Sequence, residues 1–370
     1  MKVSDVNKDI DKIIVVDPGK NSVEVIAFDR DYTVLGKEYF PSKSKAKRNF
    51  YDIDSSSDHQ YRVEYEGQKY LVGEGILSDY NFETTKNNIH HQICVYTAIA
   101  NFVEKDDEKI YLIVGYPSSD FANVDQRNEY VKMLSATGQI SFTLNEEVKN
   151  FSIVNVSVKP EGVAMKPRVE KIGKRKVKSI DIGGENINYR FYDEKGNTLE
   201  SLSLDGAGVN HLESFLKTKL RKFINVDLID VDYIDYLGGV KTCDLKEVQD
   251  SDLMGYNNSH EFMEDAITDF IEQKVLGALK SKDINLRLRG DSILFTGGGS
   301  VLLKPYLEEA LKNNIENLVF SDTAYWDNCI SYAIKDIGDR CKLLPGDKMA
   351  NMAIAQSAAG KILKETNFRD

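Results

Sequence analysis

The sequence predicts an α/β fold built from two duplicated α/β domains, and three observations lead to this prediction. Short apolar runs rich in β-branched residues alternate with segments of helical periodicity along the 370 residues. One arrangement of strand, Asp-x-Gly, strand, turn and strand occurs twice. A further apolar run ends in three consecutive glycines before an amphipathic segment. The chain is long enough for two sizeable domains, each with its own core.

The first copy of the repeated arrangement lies near the start of the chain. A β-branched run at 13–16 predicts a buried strand, which the segment Asp17-Pro18-Gly19-Lys20-Asn21 interrupts. Apolar and polar residues then alternate from Val23, which predicts a second strand, and a third follows after a turn. The segment is therefore expected to form a hairpin with an acidic tip, followed by a meander.

The second copy lies in the middle of the chain, in "VKSIDIGGENINYRFYDEKGNTLESLSL". An apolar strand leads to Asp181 and the pair Gly183-Gly184, and an alternating strand, a turn and another strand follow. The shared layout indicates an internal duplication, and hence two similar domains. We expect the two aspartate-bearing tips to face each other across a cleft and to hold one ligand between them.

The glycine run closes the apolar segment of "SILFTGGGSVLLKPYLEEAL", residues 292–311. Gly297, Gly298 and Gly299 are followed by Ser300 and a pattern typical of an amphipathic helix. Two explanations stay open from the residues alone. A phosphate or nucleotide approaches the backbone closely at a helix N-terminus, or a tight strand-to-helix turn uses the glycines without any ligand.

Composition excludes several classes of protein. The formal net charge of −11 argues against a surface built as a whole for nucleic acid, although an acidic chain can carry a local basic patch. The four cysteines are far apart and form no CxxC pair, so neither a zinc site nor a disulfide framework is predicted. No run of about 18 apolar residues occurs, and the N-terminus is polar. We therefore expect a cytoplasmic chain with no membrane contact.

Five motifs, taken in order, resemble those of the superfamily of actin, sugar kinases and heat-shock chaperones. Among its members the chain is most similar to the ParM-type bacterial actin-like proteins of plasmid segregation. The motifs are "VVDPGKNSVEV" (first phosphate loop), "SVKPEGVAM" (first interdomain connection), "SIDIGGENINY" (second phosphate loop), "ILFTGGGSVLL" (adenosine loop) and "DKMANMAIAQSAAGKI" (second interdomain connection). They span roughly residues 13–361, so the resemblance covers nearly the whole chain.

The resemblance implies an actin-like fold, in which two duplicated α/β domains flank a nucleotide cleft. Domain I is predicted at 10–158 with 345–370, and domain II at 159–344. Smaller insertions are expected at about 41–85 in the first domain and 207–290 in the second.

The resemblance also implies a nucleotide and Mg²⁺ site. Magnesium commonly takes one or two carboxylates and keeps several waters, which suits Asp17 and Asp181 as metal-binding residues. Glycines in the two phosphate loops allow backbone N–H groups to approach the phosphates, although an ordinary hairpin turn would use them too. The predicted nucleotide-binding residues are Asp17, Gly19, Lys20, Asn21, Asp181, Gly183, Gly184, Glu185, Asn186, Gly297, Gly298, Gly299 and Ser300. Neighbours of the adenine are expected on the 259–281 helix.

Glu161 is the predicted catalytic residue. It follows Pro160 at the end of a strand, where it resembles the family residue that positions the attacking water. A carboxylate there would orient or deprotonate water for in-line displacement. The alternative is an exposed glutamate in a turn, without a chemical role.

The loops depart from the family pattern in ways that bear on the phosphate contacts. The family usually has a lysine some seven residues after the first aspartate, where this chain has Glu24, while Lys20 lies earlier in the loop. Glu185 and Asn186 replace the usual threonines of the second loop, and Asn188 stands where an aspartate is common. We therefore expect altered phosphate contacts and slow hydrolysis.

One charge run is basic, in an acidic chain. It is either a contact for DNA, an acidic partner or a filament neighbour, or a solvated hairpin between two core strands. Its members are Lys166, Arg168, Lys171, Lys174, Arg175, Lys176 and Lys178.

The function that the resemblance implies is a polymerising, Mg²⁺-dependent ATPase of the bacterial cytoskeleton, with GTP as a possible second substrate. Subunits would add head to tail into a filament, and polymerisation would stimulate hydrolysis. A DNA-binding adaptor would link the filament to the centromeric DNA of a plasmid, and growth would segregate plasmid copies. Two alternatives remain: a non-polymerising nucleotide-binding adaptor, and a small-molecule kinase of the same superfamily.

Overall fold

The computed structural model describes most of the chain, as two sheets with flanking helices. The described residues are 6–50, 57–76, 86–135, 138–162, 175–223, 253, 255–286, 290–312 and 317–367. Contacts between Cα atoms divide the chain into two compact units, here called the first unit (Met1–Met165 with Trp326–Asp370) and the second unit (Lys166–Tyr325). Each is described separately.

The first unit contains a nine-stranded sheet. Its strands are β1 (Lys12–Pro18), β2 (Ser22–Phe28), β3 (Val34–Pro41), β4 (Ser44–Lys47), β5 (Gln60–Tyr65), β6 (Gln68–Gly73), β7 (Glu108–Tyr116), β8 (Ile140–Leu144) and β9 (Glu147–Pro160). Their spatial order is β3-β2-β1-β7-β9-β8-β5-β6-β4. β1 is buried along its whole length and pairs antiparallel with β2 and parallel with β7.

The helices of the first unit cover both faces of this sheet. They are α1 (Ile89–Ala100), α2 (Val124–Ser135) and, after the second unit, α8 (Asp327–Lys342) and α9 (Lys348–Glu365). Side chains of β1 alternate between two cores, as the pleat of a strand requires. Ile14 and Val16 pack in the core that includes α1, whereas Ile13 and Val15 pack in the core that includes α8 and α9.

The second unit contains a five-stranded sheet. Its strands are β10 (Val177–Ile182), β11 (Asn186–Tyr192), β12 (Thr198–Asp205), β13 (Ser292–Thr296) and β14 (Leu318–Phe320). The helices are α3 (His211–Leu220), α4 (Ser259–Phe270), α5 (Gly277–Ser281), α6 (Gly298–Leu302) and α7 (Lys304–Leu311). Buried residues of β10, β11 and β13 form one core with the apolar faces of these helices.

The duplication predicted from the sequence is visible in the strand order. The second unit has the order β12-β11-β10-β13-β14, and five strands of the first have the order β3-β2-β1-β7-β9. In both, the first three strands in sequence are antiparallel neighbours, and the first of them pairs parallel with a later strand. Two copies of one supersecondary unit therefore organise the molecule.

Two features differ in detail from the sequence-based expectation. The helix expected over 259–281 contains a π-helical stretch at Ile271–Leu276 between α4 and α5. The compact units divide at 165/166 and 325/326, so α8 groups with the first unit, whereas the sequence-based division gives it to the second domain. The predicted domain limits stay a prediction.

Within the described residues, no helix has the length and apolar character that a membrane span requires.

Candidate functional site

The loop between β1 and β2 is a tight hairpin that carries the first predicted phosphate-binding residues. Asp17 pairs with Glu24 and Pro18 with Val23 across the hairpin, which leaves residues 19–21 in the turn. A side chain at Gly19 would place its Cβ 2.8 Å from the Ser22 carbonyl oxygen, so the turn requires glycine. Lys20 and Asn21 lie beside it and are partly exposed.

The carboxylate of Asp17 is buried and held by helix α8. Asn328 Nδ2 donates to Oδ2 at 2.8 Å and the Tyr332 hydroxyl donates to Oδ1 at 3.2 Å. Burial raises the pKa of Asp17 to about 6, the negative charge of Glu161 adds to the rise, and the ammonium of Lys86 opposes it. The carboxylate thus lies in a site whose charge a bound cation would compensate.

Glu161 lies at the end of β9, close enough to Asp17 for their charges to interact. Its backbone N–H donates to the Tyr116 carbonyl at 2.9 Å, and its carbonyl accepts from the hydroxyl of Ser118. These bonds fix the position of the turn. The side chain is 18% exposed, so Glu161 is not a freely solvated turn residue.

Lys86 completes this group, although the sequence pattern did not predict it. Its side chain is 4% exposed, and its ammonium forms an ion pair with Glu161 Oε1. It also donates to the Pro18 carbonyl at 2.8 Å. The lysine precedes α1 within a polar stretch, where nothing in the pattern distinguishes it. The one usable signal was indirect, because Glu24 occupies the place where a cation was expected.

The loop between β10 and β11 carries the second set of predicted residues. The segment 206–210 lies against it, and the N–H groups of Val209 and Asn210 donate to the carbonyls of Gly183 and Gly184 at 3.0 and 2.8 Å. A side chain at Gly208 would place its Cβ 2.3 Å from the Gly184 carbonyl oxygen. The glycine pair is thus packed closely against another backbone segment of the same unit.

The polar side chains of this second loop have partners within the second unit. Glu185 accepts from Asn210 Nδ2 at 3.3 Å and lies 3.2 Å from His211 Nε2. Asn186 Nδ2 donates to the Ser203 hydroxyl at 3.0 Å. These two replacements of the usual threonines therefore brace the loop from within.

The glycine run after β13 packs against the end of β10. A Cβ at Gly297, whose φ is +83°, would lie 2.2 Å from Asp181 Oδ1, and one at Gly299 would lie 2.6 Å from Ile182 Cγ2. A Cβ at Gly298 would approach the ring of Tyr325 to 3.0 Å. The protein's own atoms thus account for all three glycines, whether or not a nucleotide also binds there.

Ser300 and the basic run are placed in ways that the sequence did not predict. The Ser300 hydroxyl donates to the Gly297 carbonyl at 2.8 Å, and the residue is 1% exposed. Lys178 is 3% exposed and pairs with Asp291 at 3.1 Å, so it belongs to the interior of the second unit. Lys166, Arg168, Lys171 and Lys174 lie outside the described residues.

The comparison with protein families gives a match to the first part of the chain. Residues 16–163 match the family model described as actin like proteins N terminal domain. This segment contains Asp17, Lys86 and Glu161. Comparison with curated protein sequences finds no match.

Several solved structures share the fold at low sequence identity. The Alp12 filament is 20% identical with a TM-score of 0.56, covering 86% of this chain and 96% of that one. A 15-stranded ParM filament from Clostridium botulinum is 15% identical with a TM-score of 0.60, covering 87% and 98%. Ta0583, an archaeal actin homolog in complex with ADP, is 17% identical with a TM-score of 0.60, covering 89% and 99%.

These likenesses extend over nearly the full length of both chains in each pair. They show that this chain shares its fold with these structures. The resemblance to actin-like proteins is therefore confirmed: the chain has the actin-like fold, and its residues 16–163 match the N-terminal domain of actin-like proteins.

Proposed function

We propose that the protein is a polymerising actin-like ATPase whose filaments segregate plasmid DNA. The observation that carries this proposal is the group formed by Asp17, Glu161 and Lys86 in the first unit. A buried carboxylate, a second carboxylate and an ammonium meet where two strands of a duplicated actin-like fold end. Such a group suits the binding and hydrolysis of a metal-bound triphosphate.

Asp17 and Asp181 would both take part in binding Mg²⁺ together with the nucleotide. When bound, the ion would neutralise phosphate charge and orient the triphosphate. Both aspartates are 7% exposed, and the described residues contain no group of three or more His, Cys, Asp or Glu that could hold a metal ion. A site with few carboxylates that relies on phosphate and water ligands is the usual one for Mg²⁺.

Glu161 would accept a hydrogen bond from the attacking water and so align it with the terminal phosphate. Its backbone is fixed by Tyr116 and Ser118, which gives the carboxylate the defined position that such a role requires. The other nucleotide contacts would come from the backbone of both loops and of the glycine run, at Gly19, Lys20, Asn21, Gly183, Gly184, Glu185, Asn186, Gly297, Gly298, Gly299 and Ser300.

Self-association is supported by the solved structures of similar fold, since the Alp12 and Clostridium botulinum ParM structures are filaments. Head-to-tail association of one subunit on the next does not close, and it produces a helical filament. A DNA-binding adaptor would connect the filament to plasmid centromeric DNA. ATP is the proposed substrate, and GTP is the alternative nucleotide.

The test is nucleotide-dependent sedimentation. At tens of micromolar and with Mg²⁺, the protein should pellet with ATP or a non-hydrolysable analogue, and far less with ADP or with nucleotide removed. Asp17→Ala and Asp181→Ala should weaken nucleotide binding and abolish pelleting, because phosphate charge would lack its counter-ion.

Other outcomes would redirect the proposal. Binding of nucleotide without pelleting under any condition would indicate a non-polymerising adaptor. Phosphate transfer to a small hydroxyl compound would indicate a kinase. Normal nucleotide affinity and assembly in both aspartate variants would show that the site lies elsewhere.

A further inference from the structure

Lys86 lies between the first phosphate loop and the predicted catalytic glutamate. Its ammonium contacts Glu161 Oε1 on one side and the carbonyl of Pro18, at 2.8 Å, on the other. Pro18 is the last residue of β1 and directly precedes Gly19 of the loop. The lysine therefore places a positive charge at the backbone of the loop that is proposed to bind phosphate.

The charge of Lys86 acts on the whole group. It opposes the rise in the pKa of Asp17. Burial lowers the pKa of His91 well below its usual range, and the charge of Lys86 lowers it further. With Asp17 ionised, one ammonium faces two carboxylates, so Lys86 compensates only part of their charge. A buried lysine is costly to maintain unless its charge is paired.

Both the backbone and the remaining donor of Lys86 favour a role beyond charge balance. Its φ is +53°, an uncommon value for a residue with a side chain, and such values concentrate at ligand sites. An ammonium has three N–H donors, and within the described residues Lys86 makes two hydrogen bonds. It also borders a small cavity lined by Gly19 and Lys20. One donor is thus available to an oxygen that enters beside the loop.

We propose that Lys86 binds the terminal phosphate of the triphosphate and, in doing so, releases Glu161. Without nucleotide the ammonium occupies the carboxylate through Oε1, so this oxygen is engaged by a cation. A terminal phosphate beside Gly19 brings more negative charge than Glu161 and draws the ammonium toward it. The freed carboxylate then accepts a hydrogen bond from water. This inference rests on the proposed function. Because only a triphosphate has the terminal phosphate that binds Lys86, the same site would distinguish a triphosphate from a diphosphate.

The rival explanation is structural, with Lys86 only neutralising Glu161, its ion-pair partner. The two explanations differ in what happens when the partner charge is removed as well. If Lys86 serves only to neutralise Glu161, Glu161→Gln should restore whatever Lys86→Met loses. If Lys86 contacts the phosphate, the loss should persist in the double variant.

The experiment compares the affinity for ADP with that for a non-hydrolysable ATP analogue, by calorimetry with Mg²⁺, in wild type, Lys86→Met and Lys86→Met/Glu161→Gln. We expect Lys86→Met to weaken binding of the triphosphate analogue about 10- to 100-fold, which is the usual effect of losing a hydrogen bond to a charged group. The affinity for ADP should change less than about threefold. The double variant should lose the same preference for triphosphate over diphosphate. It also provides the test if Lys86→Met alone fails to fold.

Lys12→Met is the matched control. Lys12 is also buried, with a side chain 10% exposed, and it also bonds a backbone carbonyl, of Phe102, and a carboxylate, of Glu108 at 3.2 Å. It lies at the other end of β1, so its loss should leave the ratio of the two affinities unchanged.

Two results would overturn the inference while leaving the proposed function intact. One is that Lys86→Met changes both affinities equally, or changes neither, while the wild type binds nucleotide and assembles. The other is a normal ratio in the double variant. Failure of the wild type to bind either nucleotide would instead overturn the proposed function, and this inference with it.

Discussion

The two copies of the strand–loop–strand unit share a scaffold and differ in chemistry. In each, an aspartate near the end of the first strand is 7% exposed, at Asp17 and at Asp181. In each, a glycine at the carboxyl end of the parallel neighbouring strand packs on that carboxylate, Gly115 within β7 and Gly297 directly after β13. A Cβ at Gly115 would lie 2.8 Å from Asp17 Oδ1, and one at Gly297 would lie 2.2 Å from Asp181 Oδ1. The close approach of glycine to aspartate has thus been kept in both copies.

The differences lie in what surrounds each carboxylate. Asp17 faces Glu24 across its hairpin, whereas Asp181 faces Asn188. The first copy adds Glu161 and Lys86, which come from elsewhere in the same unit. The glutamate of the second copy is held by Asn210 and His211 instead. Under the proposed function, the groups for hydrolysis would lie around the first loop, and the second loop would be a braced binding element.

The largest expected effect is on phosphate release, and it should differ between variants of Glu161 and of Glu185. Glu161→Gln keeps size and hydrogen bonding but removes the charge, and it should lower phosphate release per polymerised subunit about 10²- to 10⁴-fold. Nucleotide binding and assembly should persist, and the filaments should outlast those of wild type. Glu185→Gln should change phosphate release far less, because its partners lie within its own unit.

Phosphate release and light scattering, measured on the same samples, would check this prediction. Release at the wild-type rate in Glu161→Gln would show that Glu161 is only a turn residue. A comparable fall in Glu185→Gln would remove the proposed division of roles between the two loops.

The sequence predicted the features that depend on local patterns, and it did not predict those that depend on contacts between distant residues. The duplicated strands were predictable because β-branched runs, Asp-x-Gly and turn residues are local patterns, and the strand order confirms them. The contacts of Asp17 were not predictable. Asn328 and Tyr332 lie more than 300 positions away, on a helix whose pattern shows only an amphipathic face. Lys86 was missed for the same reason, since its role depends on distant Glu161.

The second prediction compares the two glycines. Gly297→Ala combines a positive φ, +83°, with a Cβ only 2.6 Å from the Ile182 carbonyl oxygen, so it should lower the free energy of unfolding by about 3 kcal/mol. Gly115→Ala would meet Asp17 Oδ1 and the Tyr332 hydroxyl, both at 2.8 Å. Since side chains shift more easily than backbone, about 1–2 kcal/mol is expected there.

Urea denaturation without nucleotide would measure both glycine variants. The reverse ranking would mean that the glycine run is the more adaptable of the two contacts. In that case its three glycines would be better explained by a ligand than by packing.

The last prediction concerns the charge of Asp17, which should make the stability depend on pH. Its pKa is raised to about 6 in the folded protein, chiefly by burial, from the ordinary value of 3.8. The folded state therefore favours the protonated form. This contribution to stability is fully present below pH 3.8 and is lost as the pH rises through 6. Without nucleotide or metal, wild type should lose up to about 3 kcal/mol relative to Asp17→Asn between pH 4 and 8.

Glu161→Gln provides the control for this last prediction, because the charge of Glu161 is the second cause of the raised pKa of Asp17. In that background, replacing Asp17 by Asn should give a smaller dependence on pH, since less repulsion opposes ionisation. Chemical denaturation at several pH values would measure the free energy of unfolding of four proteins: wild type, Asp17→Asn, Glu161→Gln and the double variant. An unchanged dependence would mean that burial alone sets the pKa, so that Asp17 and Glu161 are not one electrostatic group. Asp17 would then resemble Asp181, a buried carboxylate beside a glycine, and the contrast between the two loops would rest on Lys86 alone.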